Sequence, residues 1–188
     1  MNSLQQSLIL SSLLAVFFTL PVLAADSAAG EQKASSCVSC HGQNGNSSSA
    51  QWPNLAAQQP TYLVNQLKTF KAGDRINIMM QSMTANLSNE DINNLAAYFS
   101  SQKPAKAGGD PALAKAGEAK AAMCLGCHGS TAQGNGQFPR LAGQHPEYLE
   151  QQLKAFKEGS RKGGPMQAIT ANLSEADFKA LAAYFGSL

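Results

Sequence analysis

Charge is scarce in this sequence of 188 residues: Lys and Arg total 14 and Asp and Glu 12, about 14% of the chain, for a formal net charge of +2. No Lys- and Arg-rich stripe occurs, which excludes a phosphate-tracking nucleic-acid footprint. With 44% hydrophobic residues, the chain is neither wholly disordered nor collagen-like. A convincing period-two alternation is also missing, so strands are not expected and the class reads as all-α. Length allows one or two domains. Cysteine is limited to four residues and histidine to three, and the placement of those few carries most of the information.

Residues Leu8 to Leu23 form the one long apolar run, broken only by Ser11, Ser12, Thr19 and Pro21. It is short for a membrane span, which needs roughly 20 apolar residues, and it ends in Val22-Leu23-Ala24, a small-residue cleavage pattern. The expectation is a signal peptide over residues 1–24, cleaved after Ala24 to leave 164 residues in an exported location, the periplasm. No Lys or Arg precedes the run, and the alternative is an uncleaved N-terminal anchor.

The remainder is one unit written twice. Gln51–Ser101 aligns without gaps on Gln137–Ser187 at an offset of 86, with 29 of 51 positions identical. Upstream the offset is 87, pairing Cys37 with Cys124, so the second copy lacks one residue between His128 and Phe138. The expected domains are 25–101 and 113–188, joined by a surface connector over 102–112 that lacks bulky apolar residues. Each unit is small for a self-sufficient core and should fold around something. Helices are expected over Gly30–Ser36 and Leu113–Met123, leading into the cysteines. Two more span Pro60–Gly73 and Pro146–Gly159, where Leu63, Leu67 and Phe70 recur at helical spacing. The last begins at Ser88-x-x-Asp91, a capping-box pattern.

All four cysteines fall in two copies of one pattern, Cys37-Val-Ser-Cys40-His41 and Cys124-Leu-Gly-Cys127-His128. Cys-x-x-Cys-His is the c-type haem attachment signature: two thiols on one turn form thioethers with one haem, and the next residue turns an imidazole to the iron. The chain is therefore expected to hold two covalently bound haem c groups through Cys37, Cys40, Cys124 and Cys127, with His41 and His128 as axial ligands. A four-thiolate zinc site is disfavoured by the 83 residues between the pairs. A thioredoxin-like pair lacks its βαβ context. An iron–sulfur site gives no role to the histidines. A disulfide across three residues closes almost no loop.

Methionine is a common sixth ligand in haem electron carriers. Of the methionines after residue 24, only Met80 and Met166 pair across the repeat, each followed by Gln, and these are the expected second axial ligands. Met79 and Met83 compete with Met80 by proximity. A ligating histidine donates its other N–H to a carbonyl or carboxylate, and Pro53 and Pro139 lie where a loop could supply it; alternatively each simply starts a turn. Arg75, Arg161, Lys68, Lys71, Lys154 and Lys157 could meet haem propionates, but solvated helix faces are the plainer reading. His145 pairs with Gln59 and reads as a surface residue.

With these motifs in place, the sequence resembles the cytochrome c4 family of dihaem proteins. The resemblance rests on the tandem halves, both haem motifs, the phrases QWPNLAAQ and QFPRLAGQ, the distal Met followed by NLS, and the terminal LAAYF helix. It implies two class I cytochrome c folds with pseudo-twofold symmetry, haem propionates near their interface, and His/Met coordination at both irons. In the related fold the proline carbonyl orients the proximal histidine. The expected role is a monomeric, non-enzymatic electron carrier, associated peripherally with the membrane and working between a cytochrome bc complex and a terminal oxidase. The alternatives are a delivery subunit for one reductase and a peroxidase-like or sulfur-oxidising dihaem enzyme. Ala25–Lys103 is neutral and Pro104–Leu188 carries +2, so partner contact should depend on local patches more than on total charge.

Overall fold

A computed structural model describes residues 25–188; the expected export segment and its cleavage site after Ala24 lie outside the described residues. Each half builds the same succession of helices. The first half contains α1 (Ser27–Ala34), α2 (Val38–His41), α3 (Pro60–Ala72), α4 (Ile78–Thr84) and α5 (Asn89–Ser101). The second contains α6 (Pro111–Glu118), α7 (Ala122–His128), α8 (Pro146–Lys157), α9 (Met166–Thr170) and α10 (Glu175–Ser187). Among the described residues there is no strand, only an isolated bridge between Asn135 and Phe138. The all-α reading holds. None of these helices is long and apolar enough to cross a membrane.

Local chemistry explains the helix ends. Pro60 and Pro146 open α3 and α8 at positions where a missing N–H costs nothing, and Gly73 closes α3 in a left-handed conformation (φ 81°). Capping boxes start α5 and α10: Ser88 and Asp91, like Ser174 and Asp177, exchange side-chain and backbone bonds. The Ser88 backbone N–H and the Lys33 ammonium hold Asp91 below the ordinary carboxylate range, and Lys120 with Ser174 does so more strongly for Asp177. A carboxyl depressed on folding stabilises above its unfolded pKa of about 4 and loses that contribution as pH falls through its folded value. The gap in thermal midpoint between the wild type and the Asp91→Asn/Asp177→Asn double variant should therefore be steady at neutral pH, begin to narrow near about pH 4 and narrow further as the pH falls below that. A gap independent of pH would contradict this.

In each half the first and last helices cross, with a glycine at the contact. A Cβ on Gly30 would lie 2.0 Å from the Asn94 carbonyl oxygen, and one on Gly117 would lie 2.1 Å from that of Ala180. Neither backbone can be replaced by a yielding side chain. Gly117→Ala is expected to cost about 1–3 kcal/mol or more, measured by denaturant unfolding of the haem-loaded protein. Below the crossings lie two cores, Leu63, Leu95, Ala96 and Phe99 in one half and Leu149, Leu181, Ala182 and Phe185 in the other.

The connector runs over the surface as expected, with residues 103–106 and 109–112 exposed. Helix α6 already begins at Pro111, and the preceding strap is bound to both halves. Ala105 N–H donates to Asn46 Oδ1 at 2.7 Å, while Ala107 and Gly108 N–H donate to the carbonyls of Gly143 and Gly186 at 3.2 and 3.0 Å. Its lack of bulky side chains lets Gly109 lie close against the Ala183 carbonyl along that surface course.

Candidate haem sites and the interface between them

The first site is built on a single turn. In α2 the His41 N–H donates to the Cys37 carbonyl at 2.9 Å, which brings Cys37, Cys40 and His41 to one side of the helix. These three line one cleft together with Trp52, Met79, Met80 and Met83. Met80 is carried by α4, whose start is capped by Asn77 accepting from the Met80 N–H at 2.9 Å. The buried Thr84 hydroxyl donates back to the Met80 carbonyl at 2.8 Å. At the second site Thr170 repeats that bond to Met166 at 2.8 Å, and the His128 ring stands edge-on to Phe138.

Both histidines are buried, His41 at 7% and His128 at 6% exposure. Nδ1 of His41 lies 2.9 Å from the Pro53 carbonyl oxygen, and Nδ1 of His128 lies 2.8 Å from that of Pro139. A carbonyl only accepts, so each Nδ1 carries the proton and each Nε2 presents a lone pair. Burial pushes both imidazoles below their ordinary value, against the opposing pull of the carbonyls, which keeps them neutral and suited to metal. The one-residue deletion between His128 and Phe138 is absorbed by the loop, and the carbonyl contact is unchanged.

The rival cysteine chemistries find no geometry here. Among the described residues no three His, Cys, Asp or Glu side chains converge on a common metal position, and no two cysteines are joined. Burial pushes the Cys37 and Cys124 thiols up, the reverse of a thiolate metal or redox site. An apolar cleft with two sulfurs, a neutral imidazole and thioethers instead fits a haem. Arg140, one residue beyond the carbonyl that holds His128, has a buried Nε without a hydrogen-bond partner, which suits an anionic propionate.

Similarity to known proteins agrees with this geometry. The cytochrome c family model matches twice, over residues 27–103 and 114–188. Cytochrome c4 of Pseudomonas aeruginosa is 40% identical over 96% of this chain and 98% of its own. The crystal structure of reduced recombinant cytochrome c4 from Pseudomonas stutzeri superposes with a TM-score of 0.81 at 40% identity, covering 88% of this chain and all of that one. The chain belongs to the cytochrome c4 family. It is a dihaem electron-transfer protein, not an enzyme, with one covalently bound haem c per half and redox proteins as partners. A more distant relative is a thiosulfate dehydrogenase electron acceptor of Thiomonas intermedia, 34% identical over 98% of this chain and 91% of its own.

In this cytochrome c4 the two halves meet through polar side chains that the sequence reading had placed in solvent. Arg161 is only 8% exposed. Its guanidinium donates to Gln152 Oε1 within its own half at 2.6 Å, and across the interface to Tyr62 Oη at 2.8 Å and Gln66 Oε1 at 3.0 Å. Arg75 mirrors it, bonding Gln66, Tyr148 and Gln152, and each arginine covers a phenylalanine ring, Phe70 or Phe156. Burial opposes ionisation of Tyr148, but the two adjacent guanidinium groups outweigh it and draw the phenol down.

His145 is corrected as well: it is 9% exposed, and its Nε2 lies 3.0 Å from the Ser47 carbonyl oxygen of the other half. Lys68, Lys71 and Lys157 are exposed, as the solvated-face reading expects. Lys71 and Lys157 also donate to the carbonyls of Leu87, between α4 and α5, and Leu173, between α9 and α10. Lys154, partly exposed, bridges Glu150 and Glu175 at 2.9 and 2.6 Å. The sequence reading also passed over Gln58 and Gln144, both 6% exposed, which join the halves backbone to side chain. Their identity across the repeat was the available signal.

Proposed function

We propose that this cytochrome is a periplasmic, monomeric carrier that takes electrons from a cytochrome bc complex and delivers them to a terminal oxidase. The observation carrying the reading is the closed donor set: Cys37, Cys40, His41 and Met80 share one lining, and the second half repeats the same residues. In this reading the cysteines would hold each haem by thioethers, and His41 with Met80, or His128 with Met166, would ligate its iron. Pro53 and Pro139 fix the rings through Nδ1. When bound, each haem supplies a one-electron Fe(III)/Fe(II) couple, which the soft thioether biases toward Fe(II). The protein excludes water from the imidazole and fills the positions a substrate would need. Arg75, Arg140 and Arg161 bring positive charge to the domain interface without a carboxylate among their bonds, suiting propionates there. Export by the segment ending at Ala24, and peripheral membrane association, belong to the same reading.

The test is transfer itself. Reduced protein added to oxidase-containing membranes should be reoxidised with oxygen uptake, and the bc complex with quinol should re-reduce it. Failure of both transfers would overturn the proposed position. A second reading, acceptance of electrons from a sulfur-compound dehydrogenase, is favoured by the similarity to the Thiomonas intermedia acceptor. Reduction by such an enzyme, but not by the bc complex, would select it.

A further inference from the structure

Each carbonyl that holds a proximal histidine belongs to a peptide group whose other end is gripped by the opposite domain. The Pro53 carbonyl oxygen lies 2.9 Å from His41 Nδ1, and the N–H of that same peptide, on Asn54, donates to Gln144 Oε1 at 2.8 Å. The reverse contact has the same form: Pro139 accepts from His128 at 2.8 Å, and Arg140 N–H donates to Gln58 Oε1 at 2.7 Å. A second bond closes each ring, from Gln144 Nε2 to the Asn54 carbonyl at 2.9 Å and from Gln58 Nε2 to the Arg140 carbonyl at 3.0 Å. Backbone N–H groups only donate, so the amide orientations are fixed by these contacts. The same oxygens also accept the N–H of His145 and Gln59, and both glutamines are buried at 6% exposure.

We propose that Gln58 and Gln144 are positioning residues, each tuning the iron of the opposite domain through the peptide that binds its axial histidine. The proposal rests on His41 and His128 as axial ligands. A hydrogen bond at the N–H end of a peptide polarises the carbonyl at the other end, and chained bonds reinforce one another by about 10–30% per bond. A stronger acceptor at Nδ1 gives the imidazole more anionic character at Nε2, which favours the ferric state. Gln144 therefore lowers the potential of the first-domain haem, and Gln58 that of the second. The coupling is reciprocal: whatever strengthens the Nδ1–H bond on oxidation also strengthens the contact between domains.

The test uses the full-length haem-loaded protein and measures both midpoint potentials by spectroelectrochemistry, with haem-methyl NMR resonances distinguishing the two haems. Gln144→Leu keeps the volume, excludes water and removes both bonds. It should raise the potential of the haem on Cys37 and Cys40 by the equivalent of about a two- to tenfold change in its oxidised-to-reduced ratio, and leave the other unchanged. Gln58→Leu should do the converse. Gln144→Asn, which withdraws the amide without removing it, should shift the same haem in the same direction by less. In the ferrous state the His41 Nδ1–H resonance should move upfield in Gln144→Leu while that of His128 stays in place. A shift confined to the haem of the mutated domain, equal shifts at both haems, or none would overturn the proposal. The ligand assignment is read separately in the wild type: if either Nδ1–H lacks the haem ring-current displacement, that assignment falls, and the relay with it.

Discussion

Met166→Ala is expected to remove about half of the Met-to-iron charge-transfer intensity of the ferric protein and to open one of its two irons to cyanide. Met166 opens α9, with its carbonyl held by the buried Thr170 hydroxyl at 2.8 Å, and Pro165 and Ile169 replace the methionines that flank its counterpart. The other methionine of this half, Met123, precedes Cys124 rather than flanking Met166. The midpoint potential of the affected haem should fall, because the ligand that favours Fe(II) has gone. The other haem should retain its band and resist cyanide. In the first half the cleft also contains Met79 and Met83, so Met80→Ala should show the same loss only if neither reaches the iron. Met79→Leu and Met83→Leu should each leave the band intact. Full intensity in Met166→Ala, read by near-infrared spectroscopy with cyanide titration, would contradict the assignment.

Arg161→Ala should produce the largest loss of stability, about 3–5 kcal/mol, read by guanidinium unfolding of the haem-loaded protein under far-ultraviolet circular dichroism. The guanidinium satisfies Gln152, Tyr62 and Gln66 together and covers the Phe156 ring at 4.5 Å. Truncation leaves three polar atoms facing a void and uncovers an aromatic face. Arg161→Lys restores the charge but not the fork that reaches two domains, so it should recover only part of the loss. Arg75→Ala should cost less, since Arg75 is half-buried where Arg161 is buried. Equal stability of Arg161→Ala and wild type would show that the cross-domain cluster does not hold the halves together.

The duplication and the helices were legible because they are written locally. Leu63, Leu67 and Phe70 recur at helical spacing, Ser88 and Asp91 spell a cap, and the haem motif packs its donors into five consecutive residues. The proline carbonyls were legible too, from the need of an imidazole for a partner at Nδ1. What escaped was whatever depends on the two halves meeting. His145, Arg75 and Arg161 are polar residues on amphipathic segments, and sequence alone places such residues in solvent. Only the pseudo-twofold packing puts Tyr62 opposite Arg161 and Ser47 opposite His145. Gln58 and Gln144 were hidden for the same reason: an amide reads as surface until a buried backbone across an interface needs both its donor and its acceptor. The surface connector was legible from its small and polar residues, but its backbone bonds to both halves were not.

The central claim is that each half holds one iron between an imidazole and a thioether. Near-infrared magnetic circular dichroism of the ferric protein, quantified per chain against haem content, tests it most directly. The account predicts two haems per chain, both low-spin and both with the His/Met signature. A single such iron, a bis-histidine signature or a high-spin centre at either site would contradict it.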